Sequence, residues 1–351
     1  MFSKQPVEIR TAPHLKRPQT VDQIMRNVVY ALLPVAAFAV YQFGISALAL
    51  IVTTTLVSML TERLFSQLSG KGNTLRDWSV VITGLLLALT LPPGFPLWMA
   101  AVAAFVGVAL GKALFGGLGH NVMNPALVGR AFVQAAFPVA ITTWTPAFAP
   151  GRFSEFIPST LTLPFMKPEP VADWIAGLAI DGYTGATPLA MQKFQHIQVA
   201  TGDLFLGGVN GSTGEASALL ILLGGLYLAF RRMLDWRIPL GVFVGAALVA
   251  TPLWLIDGGQ YPTPWFVWFS GGLMLGAWFM ASDMIASPVT PFGALLYGAV
   301  IGALTVVIRL FGGLPEGVMY AILLANAASP LIASVTQPRV YGQGRQQRGD
   351  A

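Results

Sequence analysis

Long apolar runs separated by short polar breaks extend over almost the whole chain. A helix that crosses a membrane needs about 20 mostly apolar residues. By that criterion the pattern predicts about ten spans, several of them shorter than a full crossing. The predicted spans are residues 28–43, 45–60, 78–91, 97–114, 125–137, 216–230, 238–256, 265–281, 293–310 and 318–332.

Proline and asparagine interrupt the apolar pattern beside two of the short spans. Residues 92–96 have the sequence Pro-Pro-Gly-Phe-Pro and follow the third span, and Asn124 and Pro125 begin the fifth. Non-helical backbone at membrane depth is tolerated only where it is buried in protein or lines a cavity. We therefore expect these breaks to be buried or to border a cavity.

The two halves of the chain carry similar interruptions. Residues 90–96 follow the third span of the first half, and residues 287–293, Ser-Pro-Val-Thr-Pro-Phe-Gly, follow the third span of the second. The segments 121–126 and 326–330 each contain asparagine and, further on, proline. Five spans in each half would insert the second half upside down, as an inverted repeat. The alternative is convergence of proline-rich helix ends.

The predicted fold class is therefore an all-α polytopic membrane protein with about ten helices in a 5+5 inverted repeat. Five segments follow from this pattern. They are a cytoplasmic N-terminal segment 1–25, a first membrane repeat 26–138, an outer loop 139–214, a second membrane repeat 215–335 and a cytoplasmic tail 336–351.

Composition and the distribution of charge support a membrane protein and orient it. Of the 351 residues, 55% are hydrophobic and 10% are charged, against about 25% charged in soluble domains. With the N-terminus inside, most of the 20 Lys and Arg residues, among them Lys112, Arg231 and Arg232, fall in cytoplasmic segments, as the positive-inside rule requires. The N-terminal segment lacks the apolar core of a cleaved signal peptide, so the first span is expected to direct insertion.

The absence of cysteine restricts the available chemistry. With no Cys in the chain, disulfides, thiolate nucleophiles and cysteine-ligated iron–sulfur clusters are excluded. His14, His120 and His196 lie far apart in sequence, and we expect no bis-histidine haem. There is no phosphate-binding or dinucleotide-binding glycine motif and no metal-binding cluster. Any redox chemistry therefore needs an organic cofactor, and we assign no catalytic residue and no metal ligand.

One polar segment of the long outer loop carries candidate chemistry. Residues 181–187 have the sequence Asp-Gly-Tyr-Thr-Gly-Ala-Thr, which resembles the signal by which a flavin transferase couples FMN to a threonine hydroxyl through a phosphoester bond. Two small residues before Thr187 leave room for a bulky nucleotide, and Pro188 favours an extended backbone at Thr187. The alternative is an ordinary turn. The candidate cofactor-binding residues are Thr187 as acceptor, with Asp181, Thr184, Gly185 and Ala186.

The chain as a whole resembles the RnfD family, the D subunits of Rnf ion-translocating electron-transport complexes. It is similar, more distantly, to the B subunit of the sodium-translocating NADH:quinone reductase. The resemblance rests on Ala12-Pro13-His14, on residues 116–126 with Gly-Gly-Leu-Gly-His-Asn and Asn-Pro-Ala, and on the motif ending at Thr187. It implies a covalent FMN on Thr187, attached on the periplasmic face by a flavin transferase, and a fold like that of urea transporters.

The same resemblance implies a function, partners and a location. The chain would be a flavoprotein subunit of a translocase in the bacterial inner (plasma) membrane, passing electrons through FMN in a transfer coupled to Na⁺ or H⁺ movement. Its partners would be the A and E membrane subunits, an iron–sulfur B subunit, an NADH-reactive C subunit and a second flavoprotein, G. The quinone-reductase relative also houses riboflavin, but no residue here can be matched to that second flavin.

Four polar residues in or beside the predicted spans are candidates for an ion path. An ionisable group at membrane depth is expensive and is a functional candidate by default. Asp283 would bind a cation or stabilise a helix end, or would be a solvated loop acid. Arg130 would neutralise a phosphate or backbone carbonyls, or would snorkel to the surface. Asn124 and Asn326 would supply side-chain oxygens, although asparagine before proline is also a common helix start.

Two other functions stay open on the sequence alone. A solute or ion channel of urea-transporter type, without redox function, would explain the inverted repeat and the broken helices. A structural scaffold with an unmodified loop motif would explain the composition. A flavin bound to the purified protein would count against both alternatives.

Overall fold

The computed structural model describes residues 20–70, 74–166, 168, 171–177, 186–215 and 217–338, and all regular structure in these residues is helical. The helices are α1 Val21–Phe43, α2 Ile45–Leu68, α3 Ser79–Thr90, α4 Leu97–Val108, α5 Pro125–Ala136, α6 Pro138–Ile141, α7 Val171–Gly177, α8 Pro188–Gln195, α9 Thr201–Leu206, α10 Ala218–Phe230, α11 Arg237–Ile256, α12 Pro264–Phe269, α13 Leu273–Leu275, α14 Pro291–Phe311 and α15 Val318–Thr336. A π-helical turn continues α4 over Ala109–Ala113, and another continues α13 over Gly276–Met280.

Five of the helices, α1, α2, α11, α14 and α15, are long and apolar enough to cross a membrane, and shorter apolar helices cover Ser79–Thr90, Leu97–Ala113 and Ala218–Phe230. Along α2, Leu48, Val52, Leu56 and Leu60 are each about half exposed at every fourth position. Residues four apart share one face of a helix. A continuous apolar stripe on the outside is favourable in lipid and costly in water. The chain is therefore a polytopic membrane protein.

Contacts between α1 and α10 show that these helices run antiparallel. At the start of α1, Asn27 Oδ1 accepts hydrogen bonds from Tyr227 Oη (2.8 Å) and Arg231 Nη1 (2.9 Å) at the end of α10. At the end of α1, Gln42 Nε2 donates to the carbonyl of Val209, which precedes α10 (3.0 Å). The bundle thus has two distinct ends.

We name the ends after one residue in each. At the Lys112 end, Lys112 bonds to Glu62 late in α2 and to Ser79 at the start of α3. At the Thr187 end, the helix that follows Thr187 bonds through Lys193 to the turn after α14.

The eighth predicted span, 265–281, is not one helix, and this prediction was wrong. The chain forms α12, breaks at residues 270–272, and resumes as α13 and its π-helical turn. Gly271 has φ +62°, a left-handed conformation that glycine adopts without steric cost. The buried Arg309 donates to the carbonyls of Val267 and Ser270, at 2.9 Å each. It thereby satisfies helix-end acceptors that would otherwise be buried without donors.

The predicted break after α3 is buried in protein, as expected. Leu91 and Phe95 are fully buried. The Leu91 carbonyl accepts from the backbone amide (3.0 Å) and the hydroxyl (2.7 Å) of Thr213. Gly214 N donates to the Leu89 carbonyl at 2.6 Å. The loop before α10 therefore supplies the donors that the end of α3 lacks.

The two asparagine–proline segments differ in structure, although their sequences suggested equivalence. Asn124 is the N-cap of α5, its Oδ1 accepting from Ala126 N (3.0 Å), with Pro125 as the first helical residue. Asn326 and Pro330 both lie inside α15. Proline has no backbone N–H and so leaves the carbonyl four residues earlier without its helical donor. That carbonyl belongs to Asn326, so this segment loosens a helix and does not start one.

Candidate functional site

Thr187 is the N-cap of α8. Its backbone is extended, with φ −77° and ψ 159°, and its Oγ1 accepts from Ala190 N at 3.2 Å. Pro188 occupies the first helical position, where the missing N–H costs nothing. The residue is 3% exposed. The Thr-Pro sequence therefore forms a standard helix start, with the hydroxyl pointing at the positive end of α8.

Tertiary contacts fix α8 to the ends of two other helices. Leu189 is buried with Leu204 and Phe266. Lys193 Nζ donates to the carbonyls of Gly312 and Leu314 in the turn after α14. Burial lowers the pKa of Lys193. The helix that begins at Thr187 is thus anchored on α9, on α12 and on the turn that leads into α15.

The remaining residues of the motif are only partly described. Asp181, Thr184 and Gly185 lie outside the described residues, and Ala186 is described and half-buried. The structure thus defines the acceptor threonine and the residue before it.

Four charged side chains meet at the Thr187 end. Arg130 of α5 forms an ion pair with Glu316 Oε2. Glu215, in the loop before α10, lies near the Glu316 carboxyl and the Ser212 hydroxyl. A Cβ on Gly272, which lines the same cavity as Glu316, would lie 3.8 Å from Glu215 Oε1. Arg309 of α14 holds the break after α12 and is 5% exposed. Arg130, Arg309 and Glu316 also line a cavity of about 20 Å³, together with Ser212 and Thr90.

Several atoms of this cluster are buried without a partner in the described part of the chain. They are Glu215 Oε1, Glu316 Oε1, Arg130 Nε and Arg309 Nε. Burial, followed by the nearby Glu316 charge, raises the pKa of Glu215 to about 8. A carboxyl with that pKa is mostly protonated at pH 7, because desolvation disfavours its charged form.

A second buried ion pair lies at the Lys112 end. Lys112, which we expect on the cytoplasmic side, sits in the π-helical turn after α4 and is 3% exposed. Its Nζ lies 2.7 Å from Glu62 Oε2 and 2.7 Å from Ser79 Oγ. The Ser79 hydroxyl donates in turn to Asp77 Oδ1 at 2.6 Å. A buried lysine needs such partners, because an isolated charge in the interior is strongly disfavoured.

The candidate ion-path residues do not form one group. Asn124 and Asp283 line a common cavity of about 100 Å³ at the Lys112 end, where Asn121 Nδ2 donates to Asp283 Oδ2 at 3.3 Å. Burial raises the pKa of Asp283. Arg130 lies at the opposite end with Glu316, and Asn326 bonds to Tyr297 Oη within the bundle.

Four residues of these ion pairs and contacts were not predicted from the sequence, and their chain positions explain why. They are Glu62, Glu215, Arg309 and Glu316. Glu62 and Lys112 are 50 residues apart, and Arg130 and Glu316 are 186 apart. Glu215 and Glu316 stand in polar loops beside helix starts, where an acid is unremarkable. One signal in the sequence could have pointed to Glu62. Acids are rare beside apolar runs, and Glu62 falls just after the predicted second span.

Known proteins resemble the chain over nearly its whole length. A protein-family model described as the NQR2, RnfD, RnfE family matches residues 8–342. The chain is 39% identical over 350 residues to the D subunit of the proton-translocating ferredoxin:NAD(+) oxidoreductase complex of Clostridium ljungdahlii, covering 96% of each protein. It is 40% identical over 338 residues to the D subunit of the Na(+)-translocating ferredoxin:NAD(+) oxidoreductase complex of Acetobacterium woodii, covering 95% of each. It is 37% identical over 348 residues to the D subunit of the ion-translocating oxidoreductase complex of Alcanivorax borkumensis, covering 97% of this chain and 98% of that protein.

Proposed function

The chain belongs to the NQR2, RnfD, RnfE family, and on that premise we propose that it is the D-type membrane subunit of an ion-translocating oxidoreductase complex. In this proposal it passes electrons through an FMN joined to Thr187, and its transfer step is linked to Na⁺ or H⁺ movement. Other subunits, of the A, B, C, E and G types, hold the remaining carriers. The observation that carries the proposal is the placement of the Thr187 hydroxyl at the start of α8.

The residues around Thr187 fit a phosphoester. A helix N-terminus favours negative charge, because its first amides lack acceptors and the helix dipole is positive there. The amides of Leu189 and Ala190 are the first such donors of α8, since Pro188 has none. Ala190 N already points at Thr187 Oγ1. A bound FMN would supply one- and two-electron chemistry, while Thr187 and α8 would hold its phosphate.

Burial of Thr187 places a requirement on maturation. At 3% exposure the hydroxyl is out of reach of a transferase that must bring FMN to it. We infer that the flavin transferase acts before Thr187 is packed into the folded protein. The protein should then take up flavin while it is being inserted or assembled, and poorly once it is folded.

Replacing Thr187 with asparagine is expected to abolish covalent flavin while leaving the fold intact. Asparagine caps a helix about as well as threonine, but it has no hydroxyl to esterify. The measurement is in-gel flavin fluorescence of the denatured chain, made in cells that contain the transferase. We expect fluorescence in the wild type and none in Thr187→Asn.

The matched control is Thr142→Ala, which removes an exposed threonine from the same predicted outer segment. It should keep full fluorescence. Absence of fluorescence from the wild type, with an active transferase present, would refute the flavin proposal. Fluorescence that persists in Thr187→Asn would move the attachment to another residue.

We infer an inverted repeat that relates α1–α5 to α10–α15. In support, α1 and α10 run antiparallel, and each half has a break before its fourth span, at residues 91–96 and at 281–290. The π-helical turns of the two halves line the same cavity through Lys112 and Trp278. The proposed orientation puts the Lys112 end in the cytoplasm and the Thr187 end in the periplasm, since basic residues gather at the former.

The similarity to known proteins does not identify the coupling ion, because one relative is named proton-translocating and another Na(+)-translocating at nearly equal identity.

The riboflavin of the quinone-reductase relative stays an expectation for this chain. The cavity at the Lys112 end, about 100 Å³, would have to widen before it could take a flavin ring. A urea-transporter-type channel is the second candidate. The buried Leu127 and Met280, which line the Arg130 cavity, argue against an open polar path there.

A further inference from the structure

The carboxyl pair Glu215 and Glu316 at the Thr187 end is short of hydrogen-bond donors. Glu316 Oε2 accepts from Arg130, and Glu215 lies near the Ser212 hydroxyl. Each carboxyl keeps a buried Oε1 with no partner among the described residues. Two ionised carboxylates in contact repel each other, and a single shared proton removes the repulsion and adds the missing donor.

We propose that Glu215 and Glu316 share one proton and form a proton-binding site that is coupled to the redox state of the flavin. The coupling rests on the proposed function, since it needs a flavin at Thr187. The proton site itself depends only on the arrangement of the two carboxyls.

The surroundings favour a proton over other occupants. The adjoining cavity, about 20 Å³, has room for roughly one water molecule, which would connect the pair to solvent. Arg130 and Arg309 both line it, and their positive charges disfavour a metal cation. A phosphate-sized anion exceeds the space. Tyr320, close to Arg130, is the other titratable group at this cluster.

The same segments position the carboxyl pair and the helix that starts at Thr187. Leu189 packs directly against Gly271, which lies beside Arg309. The next residue, Gly272, lies close to Glu215 Oε1. Lys193 is bonded to the turn that runs from Gly312 towards Glu316. A change of charge on the pair therefore occurs beside residues that contact α8, in an interior where charges interact strongly.

Charge balance defines the coupled step. An electron supplied by another carrier of the complex would add one negative charge near the pair. Above about pH 8, where the pair has lost its shared proton, Glu215 would then take one proton from water on the same side, and the new O–H bond would offset that charge. When the electron leaves for the next carrier, the same proton would return to water. The net charge of the site is the same at the beginning and the end of each cycle.

The first test is an infrared pH titration of the full-length chain in lipid nanodiscs. A protonated carboxyl gives a C=O absorption that disappears on ionisation. Because the pKa of Glu215 is raised to about 8, the wild type should lose one such band near pH 8, far above the range of exposed acids. Glu215→Gln should lack this band, and Asp203→Asn, which alters an exposed acid of α9, should keep it.

The second test is the midpoint potential of the Thr187-linked flavin as a function of pH. In the wild type, loss of the shared proton near pH 8 adds negative charge and should lower the potential more steeply above that pH. Glu215→Gln stays neutral, so its curve should lack this bend. Asp203→Asn should retain it.

Each outcome tests one part of the proposal, either the proton site or its coupling to the flavin. Absence of a carboxyl band near pH 8 in the wild type overturns the proton site. A band with no bend in the potential overturns the coupling. The band should persist in Thr187→Asn, so a failure of flavin attachment is distinguishable from a failure of the proton site.

Discussion

Replacing Lys112 with methionine is expected to destabilise the protein by about 3–5 kcal/mol, the usual cost of leaving one partner of a buried ion pair alone. The side chains of Lys112 and Glu62 are 4% and 9% exposed. Methionine fills much of the lysine volume but brings no charge. Glu62 then keeps its charge without a cation, or takes a proton, and either state is costly in the interior.

The double variant Glu62→Gln/Lys112→Met should recover most of the loss, because it removes the second charge as well. Unfolding midpoints in detergent for the wild type, both single variants and the double variant close a double-mutant cycle. The control is Arg26→Ala, which breaks the exposed pair with Asp22 (45% and 43% exposed) and should cost less than about 1 kcal/mol. A single variant as stable as the wild type would mean that water reaches Glu62.

The long apolar helices could be predicted from the sequence because the bilayer imposes their length and composition. The break inside 265–281 could not, since it depends on Arg309 reaching two carbonyls from about 40 positions away along the chain. The end of α2 was placed eight residues early, because Glu62 and Arg63 resemble the edge of a membrane span. The burial of Glu62 becomes visible only once Lys112 is brought alongside.

The residues of the candidate site also divide into those that a local sequence motif predicts and those that only the fold brings together. The extended backbone at Thr187 could be predicted, because the residue before a proline is biased that way by a local effect, and flavin attachment at Thr187 stays a prediction. The carboxyl pair could not be predicted, because Glu215 and Glu316 belong to separate loops that only the folded bundle brings together. Asn124 and Asp283 were predicted as ion-path candidates, and the structure brings these two to one cavity. Arg130, six residues after Asn124 on α5, lines a different cavity, together with Glu316.

The crossing of α11 and α14 gives the second large effect on stability. Glycines recur at a spacing of four on both helices, as Gly241 and Gly245 and as Gly298 and Gly302, a pattern that lets membrane helices approach closely. A Cβ on Gly302 would overlap the Val242 carbonyl oxygen and lie 2.6 Å from Ala246 N. These are backbone atoms, so no side-chain rotation relieves the overlap.

Gly302→Ala is therefore expected to lower stability, although alanine favours a helix by about 1 kcal/mol over glycine. Overpacking costs about 1–3 kcal/mol, and overlap with backbone places this site at the upper end of that range. Gly245→Ala should act similarly, because its Cβ would overlap the Ala299 carbonyl oxygen. The double variant should lose less than the sum of the two, since one outward shift of α14 relieves both overlaps.

Gly313→Ala is the matched control, because a Cβ there meets nothing within 4 Å, and its unfolding midpoint should stay near that of the wild type. Detergent unfolding of all four variants measures the difference directly. A Gly302→Ala chain as stable as the wild type would show that α11 and α14 stand further apart in the membrane than their backbone contacts require. The pairing of these two helices would then rest on their aliphatic side chains and not on the glycines.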